Sequence, residues 1–181
     1  MNREEALKLI EERLKNKNLV KHSLAVEVCM ERLAEMFGED SRTWALAGLL
    51  HDLDYEETKD DFSQHGFVAA RVLENYRVSQ EVLDAIKAHP GHIQRDSFMA
   101  KALYAVDPLT GLIVAAALMH PDRKLKSLDV GFVLNRFKEK RFAKGANRQQ
   151  IMRCSELGLE LKEFIEICLL AMQEISDDLG L

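Results

Sequence analysis

The feature that most constrains the fold is an apolar run, residues 44–50, that ends directly in His51 and Asp52. The run combines one tryptophan with small residues and leucines, which indicates a buried helix. An ionisable side chain is rarely buried unless it is paired or binds a metal. An imidazole nitrogen and a carboxylate oxygen here could hold one ion, or could simply pack and cap the helix. The remaining core-facing positions of the chain decide between these interpretations.

Apolar residues recur at helical spacing along nearly the whole chain. No strand pattern or repeat is visible, and the 181 residues include only three prolines. With 47% hydrophobic and 30% charged residues, this pattern is typical of a helical globular protein. Because the predicted loops are short, we expect one domain over residues 1–181. The predicted fold class is therefore an all-α, single-domain helical bundle.

The sequence also predicts a cytoplasmic location. Its longest apolar run, residues 112–119, is too short to span a bilayer, and residues 1–5 lack the apolar core of a signal peptide. The cysteines at positions 29, 154 and 168 are odd in number and widely spaced. They form no disulfide framework and no CxxC zinc motif, so we expect buried thiols in a reducing compartment.

Three further histidines lie on apolar helix faces. The positions three, four, seven, eight and eleven residues after His22 are apolar, and so are those after His65, counted through Tyr76. Counting back from His89 again gives apolar residues, and Pro90 is expected to end that helix. Each histidine is thus predicted to face the core near a helix end.

Asp107 completes the set of inward-facing ionisable residues. It shares a helix face with Leu103, and Pro108 follows it directly. We expect one helix over about residues 98–106 and a second over 109–120, with Asp107 between them. Between the earlier helices, residues 54–62 form a polar, acidic segment that we expect to be a solvated loop.

A shared cation explains this collection better than packing does. A buried polar group left without a partner costs about 1–3 kcal/mol, and each of these residues would need its own partner. Imidazoles and carboxylates without thiolates favour Fe, Mn or Zn. Six ligands are too many for one ion with an open position but suit two divalent ions that share a carboxylate. The predicted ligands are His22, His51, Asp52, His65, His89 and Asp107.

The order His22, then His51-Asp52, then Asp107 resembles the H…HD…D signature of the HD superfamily of metal-dependent phosphohydrolases. The resemblance covers about residues 18–110, which would be the HD core, with residues 111–181 as a helical C-terminal extension. His65, followed by a glycine, and His89 resemble the additional histidines of the two-metal branch. That branch includes the HD-GYP phosphodiesterases and the bacterial HD-type diadenosine tetraphosphate hydrolases, and the second group is closer in helix order.

The resemblance implies a role for each ligand. His22, His51, Asp52 and Asp107 would hold the first ion, and Asp52, His65 and His89 the second, with Asp52 bridging. His51 and Asp52 would be catalytic, because hydroxide bound to the metal would be the nucleophile. The sequence departs from the pattern where many relatives have a lysine soon after the HD pair. Here Leu53, Asp54 and Tyr55 follow instead, so another cation would have to meet the phosphate.

Several residues are candidates for contact with a phosphorylated substrate. His92, beyond the Pro90-Gly91 turn, is a candidate proton carrier or substrate contact, and Lys87 and Arg95 are near the predicted site in sequence. Residues 123–148 contain nine Lys or Arg and two Asp or Glu in a chain of net charge −5. This basic segment is either a solvated helix face or an arm that binds an anion. Arg141 and Arg148 are its candidate phosphate ligands, because a guanidinium can bind phosphate with two hydrogen bonds.

The sequence-based expectation is a phosphohydrolase that cleaves a phosphoester or phosphoanhydride with one or two divalent metal ions. We expect a nucleotide or another small phosphorylated metabolite as substrate. The net charge argues against nucleic acid as a partner, no membrane is expected, and a homodimer is left open. The alternatives are a non-catalytic metal-binding regulatory or scaffold domain and a di-iron oxygenase.

Overall fold

The computed structural model describes all 181 residues and confirms the all-α fold class. Short 3₁₀ turns connect several of the helices. The helices are α1 (Arg3–Arg13), α2 (Lys17–Phe37), α3 (Ser41–Leu50), α4 (Tyr55–Thr58), α5 (Phe67–Leu73), α6 (Gln80–Ala88), α7 (Phe98–Met119), α8 (Val130–Lys138), α9 (Arg148–Ile151), α10 (Leu161–Glu174) and α11 (Ser176–Leu179).

The helix ends follow the capping signals in the sequence. Asn2 accepts a hydrogen bond from the amide of Glu5, whose side chain in turn accepts one from the Asn2 amide. The side chain of Asp40 accepts from the Thr43 amide and starts α3. Gly38 ends α2 in the left-handed conformation, with φ of 73°. Gly38 and Asp40 thereby fix where α2 ends and α3 begins, and these helices carry His22 and lead into His51.

A single cluster of 49 buried apolar residues runs from Ala6 to Leu179. It contains the inner faces of α2, α3, α6 and α7, and α10 adds Phe164 and Met172. The helices beyond α7 therefore pack on the same core as the helices that carry the predicted ligands.

Helix α7 is continuous where we expected two helices. It runs through Pro108, which lacks an N–H and so leaves the helical bond to the Tyr104 carbonyl unmade. Pro108 and most of its neighbours are buried, and this packing holds the helix together across the missing bond. Asp107 thus lies inside a helix rather than at a helix end.

The same helix is long and apolar enough to cross a membrane by length and composition. Its most apolar 18-residue window has a mean hydropathy of 1.8. In the fold, however, 61% of that window is buried. Burial of this kind is typical of the central helix of a globular core, so the apolar character of α7 is accounted for by packing.

Gly48 brings α2 and α3 into backbone contact behind the predicted metal ligands. A Cβ atom added there would lie 2.9 Å from both the Cα atom of Glu27 and the carbonyl oxygen of Val26. Both are backbone atoms, so the contact cannot be relieved by a side-chain rotation. The close approach also fixes the Gly48 carbonyl, which accepts a hydrogen bond from His51.

We expect Gly48→Ala to destabilise the protein by about 1–3 kcal/mol, because α2 and α3 must separate. The matched control is Gly111→Ala in α7, where an added Cβ meets nothing within 4 Å. That change should stabilise by about 0.5–1 kcal/mol through helix propensity. Thermal unfolding of the two variants measures both effects, and equal shifts of the same sign would contradict the close-contact explanation.

Candidate metal centre

The structure brings all six predicted metal ligands together around Asp52. Its carboxylate lies 3.4 Å from His51 Nε2, 3.1 Å from His65 Nε2 and 3.5 Å from His89 Nε2, and its second oxygen lies 3.6 Å from His22 Nε2. Asp107 Oδ1 is 3.1 Å from His22 Nε2. Two subsets meet the geometry for holding an ion, namely His22, His51 and Asp107, and His51, Asp52 and His89.

Two of the histidines are oriented by carbonyl groups of their own helices. His51 follows α3, and its Nδ1 lies 2.8 Å from the Gly48 carbonyl oxygen. His89 follows α6, and its Nδ1 lies 2.6 Å from the Ile86 carbonyl oxygen. A carbonyl only accepts, so each Nδ1 carries the hydrogen and donates it. In the neutral imidazole, Nε2 then holds a free lone pair that points towards Asp52.

The other two histidines are oriented by side chains. His65 Nδ1 donates to Asp54 Oδ1 over 2.8 Å. His22 Nδ1 lies 3.1 Å from the Thr110 hydroxyl oxygen, and that hydroxyl already donates to the Asp107 carbonyl over 2.9 Å. The Thr110 oxygen therefore accepts from His22 Nδ1, so Nε2 holds a lone pair in the neutral imidazole and donates to Asp107 Oδ1 only in the imidazolium.

The arrangement brings imidazole nitrogens and carboxylate oxygens close together, so it requires positive charge between them. The Nε2 atoms of His22 and His51 are 3.3 Å apart, and those of His65 and His89 are 3.1 Å apart. In the neutral tautomers neither member of a pair has a hydrogen to donate to the other. Protons or metal ions must therefore lie between them. Imidazoles whose second nitrogen is held by a carbonyl or carboxylate are the usual ligands of transition metals, so the residues fit divalent ions.

The electrostatics of the metal-free centre follow from burial and from the carboxylates. Burial lowers the pKa of His51 to about 4. Burial also works against charge on His65, but hydrogen bonds to Asp52 and Asp54 outweigh it and raise its pKa to about 9. Burial opposes ionisation of Asp52, yet His51 and the other histidines hold the pKa of that carboxyl well below its usual range. The pKa of Asp107 is lowered in the same way, by its hydrogen bond to His22 against the effect of burial.

The raised pKa of His65 gives a pH dependence for metal uptake. Because this pKa is about 9, His65 is an imidazolium at neutral pH, and an ion must displace its proton. Affinity at the position formed by Asp52, His65 and His89 should therefore rise between pH 7 and pH 9, with release of about one proton per ion. Calorimetric titration with Mn²⁺ in buffers of different ionisation enthalpy measures this release. Uptake that is independent of pH in this range would contradict the assignment.

Asp54 is a further candidate site residue, which the sequence analysis missed. We expected a solvated acidic loop, but Asp54 is 1% exposed. Besides His65, it accepts hydrogen bonds from the amides of Gly66 and Ala69, over 2.9 and 2.8 Å. It thereby caps the start of α5 and orients a predicted ligand. The available signal was its position two residues after the HD pair, within a segment that we expected to be solvated.

His65 itself lies outside the helix that we assigned to it. It follows the 3₁₀ turn Phe62–Gln64, and α5 begins only at Phe67. Between them, Gly66 has φ of 79°, and a Cβ atom added there would lie 2.6 Å from the Ile86 carbonyl oxygen. The close approach to α6 requires glycine, and it brings the His65 and His89 rings within 4.8 Å.

Of the four predicted phosphate contacts, Lys87, Arg95 and Arg148 are bound to other groups of the protein. Lys87 pairs with Asp84 over 2.9 Å. Arg95 stacks on Tyr104 at 3.9 Å and pairs with Glu156. Each of these two side chains is thus paired with a neighbouring carboxylate of the protein in this arrangement.

Arg148 organises the basic segment instead of binding an anion. Its guanidinium donates to backbone carbonyls throughout the turn that joins α8 to α9, including those of Phe137, Phe142, Ala143 and Ala146. Its donors are used within the protein, so our prediction of phosphate binding by Arg148 is not supported. Arg141, by contrast, is exposed and forms no ion pair, and it stays a candidate.

His92 also has a different position from the predicted one. It is exposed, and its Nε2 lies 2.8 Å from the Phe62 carbonyl oxygen, to which it donates. Its ring contacts Phe62 and Phe67 and not the other histidines. This geometry does not support a proton-carrier role, and it makes His92 a support for the 3₁₀ turn before His65.

The centre is open on the side of His22 and Asp107, whose side chains are 22% and 28% exposed. A cavity of about 300 Å³ lies there, and Ala143, Gly145 and Ala146 of the basic segment supply part of its wall. A second cavity of about 420 Å³ extends from His22 along α2 and α7 towards the C-terminus. A substrate can therefore reach the ligands from this side, whereas His51 and His89 are enclosed.

The HD domain profile matches residues 19–118. The chain is 28% identical to ribonuclease Y of Sulfurovum sp. (strain NBC37-1) over 185 residues, which cover 90% of this chain and 36% of that protein. It is 30% identical to ribonuclease Y of Lachnoclostridium phytofermentans over 137 residues, covering 73% and 26%. Ribonuclease Y of Acholeplasma laidlawii is 29% identical over 61% of this chain and 21% of that protein. The chain thus spans between about a fifth and about a third of the length of these relatives, and no solved structure matches it.

These relatives correct our expectation about partners. Their name is that of a nuclease acting on RNA, so the prediction of a small phosphorylated substrate and no nucleic acid is wrong. They also do not support a closer similarity to dinucleoside tetraphosphate hydrolases. The error came from the net charge, since a total of −5 averages over a chain in which residues 123–148 carry a net charge of +7. Local charge, and not the total, decides whether a polyanion can bind.

Proposed function

Because this chain belongs to the HD domain family of metal-dependent phosphohydrolases, we propose that it hydrolyses phosphodiester bonds of RNA. The observation that carries the proposal is the convergence of four imidazole Nε2 atoms and two carboxylates on one open centre. The ribonuclease Y relatives support RNA as the substrate class.

We assign two ions to the centre. His22, His51 and Asp107 would hold the first with Asp52, and Asp52, His65 and His89 would hold the second. Fe, Mn and Zn suit this donor set. Bound there, such ions supply Lewis acidity and an activated water for attack at phosphorus. The contacts of Asp52 with histidines of both groups support its assignment as the bridging carboxylate.

The residues of the chain prepare this centre in advance. The carbonyls of Gly48 and Ile86 hold His51 and His89 in the tautomer that offers Nε2. Burial of these two rings keeps water away from the inner side of the centre. Asp107 and His22 form the open side, where the phosphodiester would enter. Such fixed positions remove most of the reorganisation that a flexible site would need during reaction.

The test is cleavage of a labelled single-stranded RNA by protein reconstituted with Mn²⁺. We expect hydrolysis that chelation abolishes and that proceeds at the same rate with and without O₂. An oxygen-dependent rate would favour an oxygenase, and binding of metal without turnover of RNA would favour a non-catalytic domain. Either result would contradict the proposed function.

A further inference from the structure

Aromatic side chains border the second metal position. We call Tyr55, Phe62 and Phe67 the aromatic rim. The rings of Tyr55 and Phe62 lie 5.6 Å and 5.1 Å from the ring of His65. Phe62 is 53% exposed and Tyr55 is 41% exposed. The rim therefore combines direct contact with a predicted ligand and a large apolar surface facing solvent.

Packing does not explain the rim. None of its three residues belongs to the core cluster or to the apolar residues packed against that cluster. Phe62 is nevertheless held in place, because His92 donates a hydrogen bond to its carbonyl over 2.8 Å and contacts its ring at 5.5 Å. The His92 ring in turn stacks on Phe67 at an interplanar angle of 14°. An ordered ring with an exposed face, beside a reactive centre, is suited to a ligand.

The charges around the rim define what that ligand can be. The nearby segment contains the exposed acids Asp60 and Asp61, with Glu56 and Glu57 on α4. Glu57 pairs with Arg13, and Lys59 is the one basic residue among residues 54–62, where it is outnumbered by acids. An anionic phosphate would be repelled there. A flat, uncharged heterocycle would not be.

We propose that Phe62 is the stacking platform for the nucleobase next to the scissile phosphodiester. The inference rests on the proposed function, since it requires RNA at the metal centre. A phosphodiester that enters beside His22 and Asp107 reaches a centre whose His65 ring is 5.1 Å from the Phe62 ring, so the adjoining nucleotide can extend to Phe62. Aromatic side chains bind splayed bases of single-stranded RNA, whereas a duplex keeps its bases stacked and inaccessible. The platform thus selects single-stranded RNA without reading its sequence.

A tryptophan at position 62 reports stacking without any need for catalysis. The natural chain has one tryptophan, Trp44. It is 2% exposed, so its fluorescence should not respond to a ligand in solvent. We expect the fluorescence of Mn²⁺-loaded Phe62→Trp to be quenched by a single-stranded 2′-O-methyl oligoribonucleotide. The same sugar–phosphate chain without bases should give little quenching. Equal quenching by both, or none with either, would overturn the platform.

The cleavage rates of Phe62 variants provide a second test of the platform. Phe62→Ala should lower kcat/KM for single-stranded RNA about tenfold or more, with unchanged Mn²⁺ content, and Phe62→Tyr should restore it. The matched control is Phe98→Ala, which removes a ring that is 46% exposed and packs on Phe37. Loss in both variants, or no rescue by tyrosine, would overturn the proposal. Failure of the wild type to cleave RNA would count against the proposed function, while the tryptophan titration would still decide the platform.

Discussion

Asp52→Asn should retain its helical content and lose its activity. The side chain keeps its shape, but it no longer offers two anionic oxygens to the histidines within 3.1–3.6 Å. If Asp52 bridges two ions, the substitution weakens the binding of both ions. Residues that only support a metal ligand typically contribute 10–100-fold, so loss of the bridging carboxylate should lower RNA cleavage by at least about 100-fold. Circular dichroism, metal analysis and the cleavage rate measure the three parts of this result.

The matched control for Asp52→Asn is Asp84→Asn. Asp84 lies on α6 with its side chain 55% exposed, and it pairs only with Lys87 and Gln80. The same chemical change there should leave metal content and turnover unaltered. Full metal content and full turnover in Asp52→Asn would show that the centre is assigned to the wrong residue.

Asp54→Ala should have the largest effect on the position formed by His65 and His89. The change removes three hydrogen bonds, those from His65 Nδ1 and from the amides of Gly66 and Ala69. Two buried amides are left without partners, each at a cost of about 1–3 kcal/mol. The His65 ring also loses the group that fixes its tautomer, so affinity for the second ion should fall about 10–100-fold.

Asp54→Asn separates these two contributions. The amide can accept hydrogen bonds through its one oxygen but carries no charge, so stability should fall less than in Asp54→Ala. Asp61→Ala, which removes an exposed acid of the same segment, is the control for general loss of charge. Thermal unfolding together with titration of Mn²⁺ distinguishes the variants. Wild-type stability and wild-type stoichiometry in Asp54→Ala would contradict its role.

Much of the site could be predicted because helical periodicity shows which face of a helix a side chain lies on. A histidine within an apolar stripe, such as His22, lies on the same helix face as the stripe and therefore faces the core. The HD pair after residues 44–50 could be placed for the same reason. His65 was placed in the site although it precedes its helix, because the apolar positions after it belong to α5, which packs beside it.

The remaining features depend on contacts between distant parts of the chain. Asp54 and Ala69 meet through the fold of a polar segment that has no periodicity to interpret. The continuity of α7 through Pro108 depends on burial, which outweighs the local preference of proline to end a helix. The charge of Arg148 makes it a candidate phosphate ligand in the sequence, which does not show the carbonyls that surround its guanidinium.

The most direct test of the account is an anomalous-scattering measurement on crystals grown with excess Mn²⁺. We expect two ions, one beside His22, His51 and Asp107 and one beside His65 and His89, with Asp52 contacting both. In crystals of His65→Ala, only the ion beside His22 should remain. A wild-type crystal with a single ion, and with His65 Nε2 away from it, would contradict the two-metal centre.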